Sequence, residues 1–146
     1  MFYVDVHPLD NASQSLDSLR SDSINIEQVT LERTRCRGKC PVFTISFFSN
    51  GKVEYLGKQN VERLGSHSGF IIPSNFKRLA YLIHKLDFFK LEDRYQRAVT
   101  DQAALILRVT MGGNTKSVLV YGDDGPPEFW AIQICIESCS SAVEWK

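Results

Sequence analysis

Two cysteines four positions apart, Cys36 and Cys40, sit in the run Arg33-Thr34-Arg35-Cys36-Arg37-Gly38-Lys39-Cys40-Pro41. Cationic neighbours favour thiolate over thiol, and the thiolate is the form that attacks disulfides and binds soft metals. Arg35, Arg37 and Lys39 would therefore raise the reactivity of an exposed pair. Whether the two sulfurs can meet is first a matter of geometry. An extended strand carries four residues across about 13 Å, whereas the Cα atoms of a disulfide lie about 4.4 to 6.8 Å apart. The chain must bend between them, and Gly38, midway, tolerates the positive φ of a bend while Pro41 fixes an extended exit. Three states stay open for the pair: a disulfide that shapes a loop, a redox-active or redox-sensing pair, and two reduced thiols without chemistry. Closing so short a loop contributes only about 2 kcal/mol, so even a disulfide here is a local device.

A second pair, Cys135 and Cys139, falls one helical turn apart, a spacing that suits two ligands of one metal and strains a disulfide. Together the four thiols could form a tetrahedral zinc site. Zinc knuckles use tighter spacing, however, and both helical cysteines lie on an apolar stripe where a thiol packs as a small hydrophobe, so no metal is expected. Arg33, Arg35, Arg37 and Lys39 form a cationic cluster able to hold a phosphate or carboxylate, and Asp101 could be brought near it. The competing reading is that Glu27, Glu32, Asp93 or Asp101 pairs with these side chains. No exposed aromatics interleave the cluster, which argues against nucleic acid. His7, His67 and His84 are scattered, with no acid or cysteine at motif spacing, and Asp123-Asp124-Gly125 reads as a turn.

The elements that must position these residues follow from periodicity. The polar composition of residues 1–23 predicts a mobile N-terminal tail, and 24–146 a single α+β domain. Val29, Leu31 and Arg33 alternate with Thr30, Glu32 and Thr34, which predicts a strand leading into Cys36. Val42 to Phe48 and Val53 to Leu56 flank Asn50-Gly51, which predicts a type I′ hairpin with Phe48 opposite Val53 and Ile45 opposite Leu56. A further strand is expected within Val61 to Ile71, then a helix opened by Pro73 with Phe76, Leu79, Ile83 and Leu86 on its apolar face. Phe88 to Leu91 reads as a buried connection and Arg94 to Asp101 as a polar loop. Leu105 to Met111, Gly112-Gly113-Asn114 and Val118 with Val120 predict a second hairpin. A last helix carries Phe129, Ile132, Ile136, Cys139 and Val143. The expectation is an antiparallel sheet of about five to six strands with two helices packed on one face.

Composition narrows the function classes. The 146 residues suffice for a core without staples, and 17 basic residues against 17 acidic ones leave no net charge to recruit nucleic acid or anionic lipid. No apolar run is long enough for a membrane span. Met1 to Leu9 lacks the pattern of a signal peptide, so a cytoplasmic location is expected, or an exported one if a leader is missing.

At Cys36-Arg37-Gly38-Lys39-Cys40-Pro41-Val42-Phe43 the chain resembles an uncharacterised bacterial family, a domain of unknown function with a C-x-G-x-C-P signature followed by an aromatic strand. The resemblance continues through Leu31-Glu32-Arg33 upstream, Asn50-Gly51 with Tyr55 and Gly57, Phe88-Phe89 with Leu91, and the Thr100-Asp101 step. It also takes in Lys116 with Val118 and Tyr121, and Trp145, so that it covers roughly residues 26 to 146. It does not extend to Cys135 and Cys139. It implies a small α+β domain, in a family often exported or attached to other modules, without an assigned reaction or cofactor. With no nucleophile and base pair or phosphate loop in the sequence, the expectation is a non-enzymatic interaction module without cofactor, binding an unknown protein or small anionic ligand through Arg33, Arg35, Arg37, Lys39 and Asp101. Thiol redox chemistry at Cys36 and Cys40 is the alternative, and structural zinc or anion binding the second.

Overall fold

The computed structural model describes residues 25–97 and 101–146; the expected tail over 1–23, His7, Ile24 and Thr100 lie outside the described residues. In chain order the elements are β1 (Ile26–Arg33), β2 (Val42–Phe48), β3 (Lys52–Gln59), β4 (Gly65–Phe70), α1 (Pro73–Lys85), a 3-10 turn (Phe88–Lys90) and β5 (Arg94–Tyr95). They continue with β6 (Ala104–Met111), β7 (Asn114–Tyr121), α2 (Pro127–Ser141) and β8 (Glu144–Trp145). The strands form one sheet in the order β5-β7-β6-β1-β2-β3-β4-β8, antiparallel throughout except where β5 runs parallel to β7. The architecture is α+β as expected, but the sheet is larger than five to six strands and mixed. The added strands are the two-residue edges β5 and β8, too short for any periodicity to reveal. Arg94-Tyr95, read as loop, is one of them.

β1 lies at the centre because its alternation gives it one face that is apolar up to Arg33: Val29 and Leu31 are buried against Ile45 and Phe47 of β2 and Leu107 and Val109 of β6. The same face meets both helices. Phe76, Leu79, Ala80 and Ile83 of α1 and Phe129, Ile132 and Ile136 of α2 join those strand residues in one continuous core. The opposite face is polar, with Thr30 and Ser46 hydroxyls 2.8 Å apart and Arg108 donating to Glu32 at 3.0 Å. Both helices begin at proline, whose fixed φ suits the first turn and whose missing N–H costs nothing there. Among the described residues no helix is long and apolar enough to cross a membrane.

The first hairpin departs from its expected register. Phe47 faces Val53, Ile45 faces Tyr55 and Thr44 faces Leu56, so Phe48 does not pair with Val53. The turn is a three-residue loop rather than a type I′ turn. Gly51 alone takes positive φ (92°), its N–H returns to the Phe48 carbonyl at 2.9 Å, and the Asn50 Oδ1 accepts from the Lys52 N–H instead of Asn50 turning left-handed. A Cβ at Gly51 would stand 2.5 Å from the Ile71 carbonyl oxygen, so the turn also fixes the chain entering α1. The second hairpin has the tight form: Gly112 and Gly113 both have positive φ, and Met111 faces Asn114. Of the strand expected over Val61 to Ile71, only Gly65–Phe70 pairs.

Candidate functional site

The bend between β1 and β2 is anchored on both sides. Thr34 donates its N–H to the Ala104 carbonyl at 3.0 Å and its Oγ1 accepts from the Ala104 N–H at 2.9 Å, while Asn60 donates to the Cys40 carbonyl at 3.1 Å. Between these anchors Gly38 takes φ 123°, and Cys36 and Cys40 are joined by a disulfide with their Cα atoms 5.8 Å apart. Of the three states open to the pair, the two reduced thiols are not the one present: the sulfurs are bonded. The sharing of all four cysteines by one zinc ion is not realised: two are bonded to each other, and among the described residues no group of three or more His, Cys, Asp or Glu side chains is gathered for a metal.

Beside the disulfide opens a cleft of about 570 Å³. The bend contributes Arg33, Cys36, Arg37 and Cys40; the chain entering β6 contributes Asp101 and Gln102; α2 contributes Trp130 and Gln133; Arg97 and Asp123 close the rim. Arg35 and Lys39, expected in the same cluster, are exposed and do not line it. Arg97, Trp130 and Gln133 were not legible as site residues, because they come from distant segments and carry no motif.

The three arginines of the cleft differ in how their charge is used. Arg97 is held three times: its backbone N–H donates to Asp124 at 2.6 Å, its Nε donates to the other Asp124 oxygen, and its terminal nitrogen reaches Asp123 at 3.2 Å. The hydrogen bond to Asp124, then the charges of Asp124 and Asp123, push its pKa further above the usual value. Arg37 pairs once, with Asp101 at 3.3 Å, and its backbone N–H donates to the Asp101 carbonyl at 3.1 Å. Both side chains are well exposed, so that pair is worth less than about 1 kcal/mol. Glu32 and Asp93 pair elsewhere, with Arg108 and Lys116, and Glu27 accepts from the Gly113 N–H.

Arg33 is the exception. It continues the inward alternation of Val29 and Leu31, so a guanidinium occupies the core face of the central strand, between Phe43 of β2 and Leu105 of β6. Its Nε is buried and is the sole buried side-chain nitrogen or oxygen among the described residues without a hydrogen-bond partner. Leaving such a donor unmet costs about 1 to 3 kcal/mol.

A family model for a domain of unknown function, DUF6438, matches residues 27–139. The chain belongs to that family. A search of curated proteins finds no match. Within the DUF6438 match lie the bend, the disulfide, the three cleft arginines, Trp130 and Gln133.

The DUF6438 domain has a second cavity, of about 640 Å³, and Arg33, Leu105 and Gln133 belong to the walls of both. This groove is walled by Leu31, Phe43, Ile45, Tyr55, Val61, Ile136 and Trp145. Its aromatics form a continuous set: Phe43 stacks on Tyr55 at 6.1 Å, Tyr55 meets Trp145 edge-on at 5.5 Å, and the Arg63 guanidinium lies 4.5 Å from the Trp145 ring centre. Burial raises the Tyr55 pKa, and Arg63 opposes that rise.

Cys135 and Cys139 are free thiols on α2, Cys139 buried with its Sγ 3.9 Å from the Asn75 carbonyl. The hydrogen bond from Cys139 lowers the Cys135 pKa to about 7; burial opposes this and Arg78 assists. Cys139, as the donor, is pushed up.

Proposed function

We propose that this domain is a non-enzymatic binding module that takes a small anion in the cleft framed by the Cys36–Cys40 loop. The observation that carries the reading is Arg33, a half-buried guanidinium that the fold leaves incompletely matched, on the wall of an open cleft. A guanidinium held in the fold without a carboxylate partner is a standing cost, and a carboxylate or phosphate oxygen on its terminal nitrogens offsets that charge. Arg37 adds positive charge across the cleft, and Gln102 and Gln133 supply amide donors. The lining offers guanidinium and amide donors, two carboxylates paired with Arg37 and Arg97, and two joined sulfurs, a set that supports binding over catalysis.

The test is an NMR titration with acetate and with inorganic phosphate. Saturable shifts are expected at the Arg33 Nε–H and the amides of Cys36 to Cys40, absent in Arg33→Met; saturation without shifts at those groups would falsify the reading. In anion-free buffer Arg33→Met should be more stable than the parent by about 1 kcal/mol, since it removes the unmet donor and keeps the packed stem. Chemical denaturation measures this, and a loss of stability instead would mean that the guanidinium is held by the fold itself.

A second reading, thiol–disulfide exchange at Cys36 or Cys40, is favoured by one observation: both half-buried cysteines line the open cleft beside Arg33 and Arg37, which would stabilise a departing thiolate. A loop that stays fully oxidised against a reducing glutathione buffer removes it. In either reading the closed loop belongs with an oxidising compartment rather than with the cytoplasm expected from the start of the chain. Intact mass of protein from fractionated cells, with thiols blocked at lysis, checks this.

A further inference from the structure

Resting on the anion-cleft reading, we infer the class of its occupant: an amphipathic monocarboxylate whose carboxylate sits on Arg33 and whose alkyl chain fills the groove beneath Phe43, Tyr55 and Trp145. Arg33 belongs to the walls of both cavities, so a head group held on its guanidinium borders the groove that takes the chain. The groove has the volume of a small-molecule site, and its wall joins aromatic and aliphatic side chains to a charged border of Arg33, Glu62, Arg63 and Glu137.

The charge of the groove selects a monoanion. Arg33 and Arg63 face Glu62 and Glu137 in the same lining, so the walls are balanced before a ligand arrives, and Arg63 is already engaged with the Trp145 ring. A dianionic phosphate would meet two carboxylates for one available guanidinium. A carboxylate carries a single charge, and its planar pair of oxygens matches the two terminal nitrogens of the Arg33 guanidinium. An uncharged lipid would bury its chain but leave the Arg33 donor unmet, and a short carboxylate would satisfy the donor but leave the groove wet. Head and tail together satisfy both walls.

Calorimetric titration of the full chain with decanoate, kept below its micelle concentration, tests this beside decanol, acetate and inorganic phosphate. Decanoate should bind saturably at one site, at least about tenfold more tightly than any of the other three. Arg33→Met should weaken decanoate at least about tenfold and leave decanol unchanged. Val61→Glu, a change at a half-exposed loop position in the groove wall, should weaken decanoate while leaving the acetate and phosphate shifts at Arg33 intact. Decanol binding as tightly as decanoate, unsaturable uptake of decanoate, or indifference to both substitutions overturns the inference. Failure of decanoate with acetate or phosphate still shifting Arg33 overturns it but leaves the anion cleft standing. Failure of all three anions removes both.

Discussion

Cys36 and Cys40 are separated by the same three residues as Cys135 and Cys139, yet the first pair is bonded and the second is two free thiols. The difference lies in the backbone. Gly38 at φ 123° folds the bend until the Cα atoms of its cysteines are 5.8 Å apart. On α2 every intervening residue is helical, which holds Cβ atoms at positions i and i+4 about 5 to 6 Å apart, beyond the roughly 3.8 Å of a disulfide. Spacing sets which sulfurs are neighbours; the dihedrals between them set what those neighbours can become.

The contrast makes the helical pair a packing device and the bend pair a loop clamp, and substitutions can break it. Cys139 is 5% exposed in the core, so Cys139→Asp buries an unpaired carboxylate and should cost about 3 kcal/mol or more by chemical denaturation. A cost below about 1 kcal/mol would show that the helix end opens freely. Replacing both Cys36 and Cys40 by Ser should cost about 2 kcal/mol, the value of a short closed loop, with the core unaffected. Equal losses from serine at Cys36 with Cys40 and at Cys135 would erase the distinction.

The smallest effect sharpens the comparison through pH. With its pKa lowered to about 7 by the Cys139 hydrogen bond, Cys135 should alkylate in the native protein with a midpoint near that value, while the bonded pair stays unlabelled until reduced. Between about pH 7 and the ordinary thiol value of about 8.5, the unfolded chain holds a proton that native Cys135 has lost, so native stability should rise with pH across that window. Cys139→Ala removes the donor and should move the alkylation midpoint upward. A midpoint indifferent to that change would assign the shift to Arg78.

Much of this was legible in the sequence, and the failures have definite causes. The helix from Pro73, the strand into Cys36, the bend at Gly38 and the Gly112-Gly113 hairpin follow from local rules that tertiary context did not override. The first hairpin slipped because Ser49-Asn50-Gly51 satisfies a three-residue loop as well as Asn50-Gly51 satisfies a two-residue one. What decides between them is the Ile71 carbonyl packed on Gly51, twenty residues away. Arg33 was legible as a cation in a cluster, but its burial was not. The alternation Val29, Leu31, Arg33 points it inward, and only the neighbours at Phe43 and Leu105 show how far the core face reaches. Arg97, Trp130 and the groove around Trp145 belong to segments that meet only in three dimensions.

The two-residue β5 and β8 that border the sheet have a consequence for how this chain behaves in a crowd. A long bare edge is a template on which another polypeptide can lay down hydrogen-bonded rungs and begin a fibre. Here the border rungs stop after two residues on either flank, so among the described residues 114–117 of β7 and 65–67 of β4 have no strand on their outer side, and an intruding strand would have to pair there.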